Sequence, residues 1–170
     1  WGRDAYNQVS NTPTAANFID LALSAPGDFG VALDENGSIV SWGRDNANQV
    51  ANTPGGSGYI GITAGQSHAF ALTPNGSISG WGQDNYDQVN DAPTGSGYTA
   101  IAAGKFYSLA LSSDGSIEVW GRDNYDQISD APTGLGFTQI SSGRDYAMAL
   151  AADGSIVCWG RDNKDQVDDC

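Results

Sequence analysis

Apolar residues recur in this chain in short alternating runs separated by polar, glycine-rich breaks, most cleanly between Tyr98 and Gly134. Tyr98 to Ala102 reads as a short strand stopped by Gly104. Tyr107, Leu109 and Leu111 then alternate with Ser108 and Ala110, the period of two that places one face of a strand against a core. Asp114-Gly115 follows, a dipeptide that tolerates positive φ and so closes a tight hairpin. Ile117 and Val119 alternate with Glu118 and Trp120, which predicts a third strand. From Asp123 to Ala131-Pro132-Thr133-Gly134 the chain is loop, crowded with Asp and Asn and ending on a proline that cannot donate into a ladder.

The same unit is written several times. Leu33, Leu72, Leu111 and Leu150 share one column, and Ile39, Ile78, Ile117 and Ile156 share another. Gly37, Gly76, Gly115 and Gly154 mark the hairpin in each copy. The stretch WGRDNYDQI at Trp120 recurs at Trp1, Trp42, Trp81 and Trp159, with spacings of 41, 39, 39 and 39 residues. A fixed period in this range marks a solenoid, propeller or array. Three-stranded antiparallel units cannot bury both faces alone, so each must stack on its neighbours, and radial stacking of small twisted sheets makes a β-propeller. The expectation is all-β: about four three-stranded antiparallel blades plus an extra N-terminal strand. A chain of 170 residues suits a single domain over 1-170, with a partial strand at 1–9 and repeats at about 18–50, 59–89, 98–128 and 137–167. The first unit is irregular, with two extra residues and Pro26 where the others have Gly65, Gly104 and Gly143, as expected of a cap or a closure seam.

Composition narrows the partners. Twenty acidic residues against seven basic ones leave a formal net charge of -13, and no Lys/Arg cluster is present. Such a surface repels phosphate backbones and anionic lipid, which argues against nucleic acid. No run of 18 apolar residues predicts a membrane span. Seventeen aromatics mark an ordered chain rather than a disordered one. The sequence begins at Trp1, inside a repeat motif, which reads as a processed or excised piece. Cys158 and Cys170 lack the companions of a zinc site; a disulfide between them, an intermolecular bridge and two free thiols are the three readings, and the first points to an extracellular or cell-surface setting.

Candidate chemistry lies in the repeated motif. Trp1, Trp42, Trp81, Trp120 and Trp159 end the third strands and read as wedges between blades rather than as a stacking platform for sugars or bases. Arg3, Arg44, Arg122 and Arg161 form a column broken only by Gln83, and each precedes an Asp, which suggests a ladder of guanidinium–carboxylate pairs. Asp84, Asp87 and Asp91, like Asp123, Asp126 and Asp130, present oxygens that could hold Ca2+, although their spacing matches no calcium loop and turn and capping hydrogen bonds explain them better. No other cofactor and no dedicated metal site is implied. His68 is the only histidine and no nucleophile stands beside it in sequence, so packing is expected of it rather than proton transfer. Asn36-Gly37-Ser38 and Asn75-Gly76-Ser77 satisfy the glycosylation sequon but are also good hairpin turns. Tyr6, Tyr86 and Tyr125, sharing a loop column with Ala47 and Lys164 and lying beside Asp84, Asp87, Asp123 and Asp126, are the best candidates for a recognition surface.

The assembled pattern is AxxxG, then xHxxAL, then DGS or NGS, then WGxDxxxQ. Its closest written form is AGQSHAFALTPNGSISGWGQDNYDQV from Ala64 to Val89. It resembles the regulator of chromosome condensation (RCC1) repeat family, in the compact bacterial and archaeal form with 39-residue repeats. The resemblance implies a propeller, usually of seven blades, of which this chain would supply four and an orphan WGRD strand. It departs from the family pattern in carrying Asp84 and Asp87 where Asn and Gly are usual. The family's His column reads Phe29, His68, Tyr107, Tyr146 here, and neither a basic DNA-facing region nor the wedge insertion expected of the family's exchange factor is visible. The functional expectation is a non-catalytic extracellular structural or interaction module, with a protein partner or self-association head to tail into a multimer or filament. The alternative is a lectin- or inhibitor-type module that takes a glycan or protein through the loop tyrosines and carboxylates.

Overall fold

The computed structural model describes residues 4–24, 26–163 and 166–168, and contains twelve strands in four sheets. The first blade is β1 (Phe18–Leu23), β2 (Phe29–Asp34) and β3 (Ile39–Gly43); the second is β4 (Gly61–Ala64), β5 (His68–Leu72) and β6 (Ile78–Gly82). The third is β7 (Tyr98–Ala103), β8 (Tyr107–Ser112) and β9 (Ile117–Gly121); the fourth is β10 (Phe137–Ser142), β11 (Tyr146–Ala151) and β12 (Ile156–Gly160). Each sheet is antiparallel in chain order, the middle strand flanked by the other two. The first strands of successive blades lie side by side, β1 against β4, β4 against β7 and β7 against β10. Among the described residues no helix is long and apolar enough to cross a membrane.

Alternation along the strands builds the core between blades rather than within them. Phe29, Val31 and Leu33 of the first blade share a cluster with Ile62, Ala69, Ala71 and Trp81 of the second. Phe70 and Leu72 meet Ala103, Ala110 and Trp120, and Tyr107 and Leu109 meet Ala147, Ala149 and Trp159. One face of each middle strand is thus large and the other small. The small face has a reason: Gly30 lies opposite Trp42 in the β2–β3 ladder, and a Cβ there would meet the indole at 2.5 Å. Ala69, Ser108 and Ala147 take the same place in the other blades, each opposite the Trp of its own third strand.

The hairpins join one blade to the next. Gly76 adopts φ 80, and its carbonyl accepts the Tyr98 N–H at 3.2 Å while Asn75 O accepts that of Gly97 at 2.9 Å. A Cβ on Gly115 would lie 2.5 Å from Gly136 N, so the hairpin column needs glycine for both its conformation and this contact.

Two sequence readings change. The residue equivalent to Gly65, Gly104 and Gly143 is Ser24, not Pro26: Ser24 N–H donates to Phe29 O at 3.1 Å, as Gly65 N–H donates to His68 O at 2.9 Å. Glycine is required in the later blades because a Cβ at 65, 104 or 143 would strike the ring of His68, Tyr107 or Tyr146, and the two extra residues of the first unit relieve that contact. Of the N-terminal strand expected at 1–9, Trp1 and Arg3 lie outside the described residues, and from Asp4 the chain curls into turns.

Candidate functional site

The motif after each third strand folds as a compact knuckle. Asp84 Oδ1 accepts the backbone N–H of Val89 at 2.7 Å and of Asn90 at 3.0 Å. Asp45 does the same for Val50 and Ala51, and Asp123 for Ile128 and Ser129. Asp4 repeats it at the N-terminus for Val9 and Ser10. Burial opposes ionisation of Asp123, but the hydroxyl of Ser129 and the N–H groups of Ile128 and Ser129 outweigh it and hold its carboxyl below the usual range. Asp4 is likewise lowered by Ser10 and by the Val9 and Ser10 amides. Asn7, Asn48, Asp87 and Asp126 sit at the left-handed turn of the knuckle with φ of 57, 57, 56 and 59, a conformation Asn and Asp tolerate better than other side-chain-bearing residues. Among the described residues no cluster of three carboxylate, His or Cys side chains converges as metal ligands.

The keystone of the knuckle is its glutamine. Gln49, Gln88 and Gln127 are buried. Each Oε1 accepts an N–H two residues earlier, from Ala47, Tyr86 and Tyr125 at 2.8, 2.8 and 3.0 Å. The backbone carbonyl of the same glutamine accepts the indole N–H of the next blade: Trp81 to Gln49 and Trp120 to Gln88 at 3.0 Å, Trp159 to Gln127 at 2.8 Å. Trp42 donates to Gln8 at 3.0 Å, so the N-terminal knuckle clamps the first blade. The glycine after each tryptophan is held at φ of about 100, where a Cβ would meet both the chain before the middle strand and that glutamine's side chain. Sequence reasoning treated the glutamine as part of a motif without a role; its presence in all five copies was the available signal.

The tyrosine and arginine columns meet across blades. The Arg44 guanidinium lies 5.1 Å from the Tyr6 ring centroid, Arg122 5.0 Å from Tyr86, and Arg161 4.5 Å from Tyr125, all within cation–π range. Each arginine therefore caps the tyrosine of the preceding repeat, and the rings keep 37 to 41% exposure. Two of the arginines also pair with a carboxylate of their own repeat. Arg44 reaches Asp28 at 3.0 Å and Arg161 reaches Asp145 at 3.2 Å, carboxylates just before the middle strands rather than the aspartates that follow each arginine. At the Arg122 position that partner is Phe106, and the guanidinium lies 5.5 Å from its ring instead.

His68 is buried, and its Nε2 lies 2.8 Å from Ser108 Oγ. A Ser–His contact of this length invites comparison with a nucleophile and base. Both residues have 0% exposure, so no substrate reaches them here. Burial drives the imidazole pKa down to about 4, against the opposing pull of Asp84 and the Tyr107 backbone. Ser108 replaces the Ala or Gly of the other blades at the one interface where histidine replaces an aromatic without a ring nitrogen. Cys158 lies on β12 opposite Met148 and is disulfide-bonded; Cys170 lies outside the described residues.

The repeat model described as "Regulator of chromosome condensation (RCC1) repeat" matches residues 59–88 and 137–166, the second and fourth blades. Those two blades are RCC1 repeats. Solved RCC1-like propellers share its fold. Yeast RCC1 (Prp20), in its crystal structure with Kap60, matches at 23% identity with a TM-score of 0.73, over 88% of this chain and 45% of that one. The CRINKLY WD40 ectodomain of the Arabidopsis thaliana receptor kinase ACR4 matches at 25% identity and 0.68, over 84% and 50%. Human WBSCR16 matches at 16% identity and 0.76, over 95% and 56%. The chain spans about half the length of these structures. No curated protein sequence matches it.

Proposed function

We propose that this chain is a non-catalytic interaction module that works through its two end blades, joining further blades, including those of a second copy, head to tail. The carrying observation is a face pair buried at the first junction, half-buried at the later ones and exposed at both ends. Ile62 is 9% exposed where it meets the first blade, whereas its counterpart Leu21 is 68% exposed, as is Leu23. At the other end Ile39, buried at 9%, has as counterpart Ile156 at 55%. Met148, Leu150 and Ile156 line an open apolar hollow of about 220 Å³ there. A Cβ at Gly154 would meet nothing within 4 Å, whereas one at Gly37, Gly76 or Gly115 would strike the chain entering the next blade. A blade of the same design matches these surfaces better than an unrelated partner does.

Covering Leu21, Leu23 and Ile156, which are half to two-thirds exposed, contributes roughly 3 to 6 kcal/mol. Association costs about 4 to 15 kcal/mol, so the contact is weak and concentration-dependent. Because Gln8 already clamps Trp42, a second copy meets the inner strand first and displaces the 4–11 knuckle only in a full blade contact. The protein-partner reading draws further support from the yeast neighbour, crystallised with Kap60. The extracellular reading draws support from the bonded state of Cys158 and from the ectodomain neighbour. Light scattering after gel filtration tests the assembly: mass should rise with concentration and fall to the monomer in Leu21→Asp/Leu23→Asp, whose sites are exposed enough to leave folding intact. A native chain that stays monomeric at every concentration would sink it.

A further inference from the structure

Three of the four described tyrosine–arginine junctions are filled and one is not. Where the knuckle of the first blade carries Ala47 in place of tyrosine, the second blade carries Gln83 in place of arginine. Both partners of one stack are missing together, and the space they leave is a cleft of about 450 Å³. Its walls include Arg44, Gln66, Gln83, Asp84, Asn85 and Phe106.

Both charged groups in the wall are already committed. Arg44 is paired with Asp28 at 3.0 Å, and Asp84 Oδ1 takes two backbone N–H groups. One positive and one negative group leave the cleft itself neutral, inside a chain of net charge -13 that repels anions. A cationic guest would lie beside Arg44, and Asp84 Oδ1 already holds its own loop. What remains open is neutral polarity. Gln66 Oε1 is buried in the wall without a partner. The side-chain amides of Gln83 and Asn85 offer both functions. Phe106 supplies an apolar wall.

We infer that this cleft between the first two blades binds a neutral polyhydroxylated ligand, a sugar of one or two rings. Each hydroxyl both donates and accepts, which suits a wall of amides with one unmet acceptor. The volume lies within the range of small-ligand sites. This site is separate from the exposed outer faces of the end blades and does not depend on their assembling.

The test uses the full chain, isotope-labelled, titrated with glucose, galactose, mannose, N-acetylglucosamine, maltose and lactose while the side-chain amide signals of Gln66, Gln83 and Asn85 are followed. At least one sugar should shift them saturably. Ala47→Tyr/Gln83→Arg rebuilds the stack found at the other junctions and fills the cleft, so it should weaken binding at least about tenfold while keeping or raising the Tm. Gln66→Leu removes the unmet acceptor without filling the cleft and should weaken binding as well. No saturable shift with any of these sugars, binding unchanged in the filled variant, or saturable binding of arginine amide in place of sugar would each overturn the inference.

Discussion

His68 ties the stability of the second junction to pH. The imidazole is wholly buried between the second and third blades, with Ser108 Oγ at 2.8 Å and the Phe70 ring edge-on at 5.7 Å. Its pKa is pushed to about 4 from the ordinary 6.5, chiefly by burial. As pH falls below about 6.5 the unfolded chain takes up a proton that folded His68 refuses until about pH 4, so the unfolded state gains and stability declines. The contribution is fully present above about pH 6.5 and is lost across that window. At about 1.4 kcal/mol per pH unit the loss comes to roughly 3 kcal/mol, a large part of a typical 5 to 15 kcal/mol domain stability. Carboxylates titrate in the same range, so the assay is a difference. His68→Phe/Ser108→Ala copies the Phe29 and Ala69 pair of the first junction, which share one core cluster. Denaturant unfolding followed by tryptophan fluorescence, from about pH 7.5 to about pH 4, should show the wild type losing about 3 kcal/mol more than the variant. A difference flat to within about 0.5 kcal/mol across that range would refute a buried neutral histidine.

Two further outcomes follow from the junctions. Trp120→Phe removes the indole N–H from the buried Gln88 carbonyl and leaves a gap against Phe70, and should cost roughly 2 to 4 kcal/mol in equilibrium unfolding. Gly115→Ala and Gly154→Ala carry the same left-handed strain, at φ 82 and 90, yet only the first meets a neighbouring backbone. Gly115→Ala should therefore lower the Tm clearly more than Gly154→Ala, and equal shifts would count against an open fourth-blade hairpin.

Much of the fold was legible because repetition averages out local ambiguity. The alternating Tyr107, Leu109 and Leu111, the hairpin Asp114-Gly115 and the leucine and isoleucine columns each recur in register, and a period of 39 residues leaves few ways to bury three-stranded sheets. The site was less legible. Tyr6, Tyr86 and Tyr125 stood out as loop aromatics, but an arginine one repeat later is stacked on each. Asp84 and Asp123 hold their own loops through backbone N–H groups, the turn role their spacing favours over calcium. The paired loss of Ala47 and Gln83 was present in the sequence, yet without the offset of one blade nothing linked them.

By itself, then, the sequence determined the unit: strand period, hairpin position, the tryptophan–glycine pair and a strongly acidic surface, all consequences of local alternation and composition. Tertiary structure decided which unit touches which. The indole of one blade reaches the glutamine carbonyl of the one before, His68 finds Ser108, and Arg44 finds Asp28 rather than the adjacent aspartate. These pairings depend on how twisted sheets stack in three dimensions, a relation between repeats that no single repeat encodes.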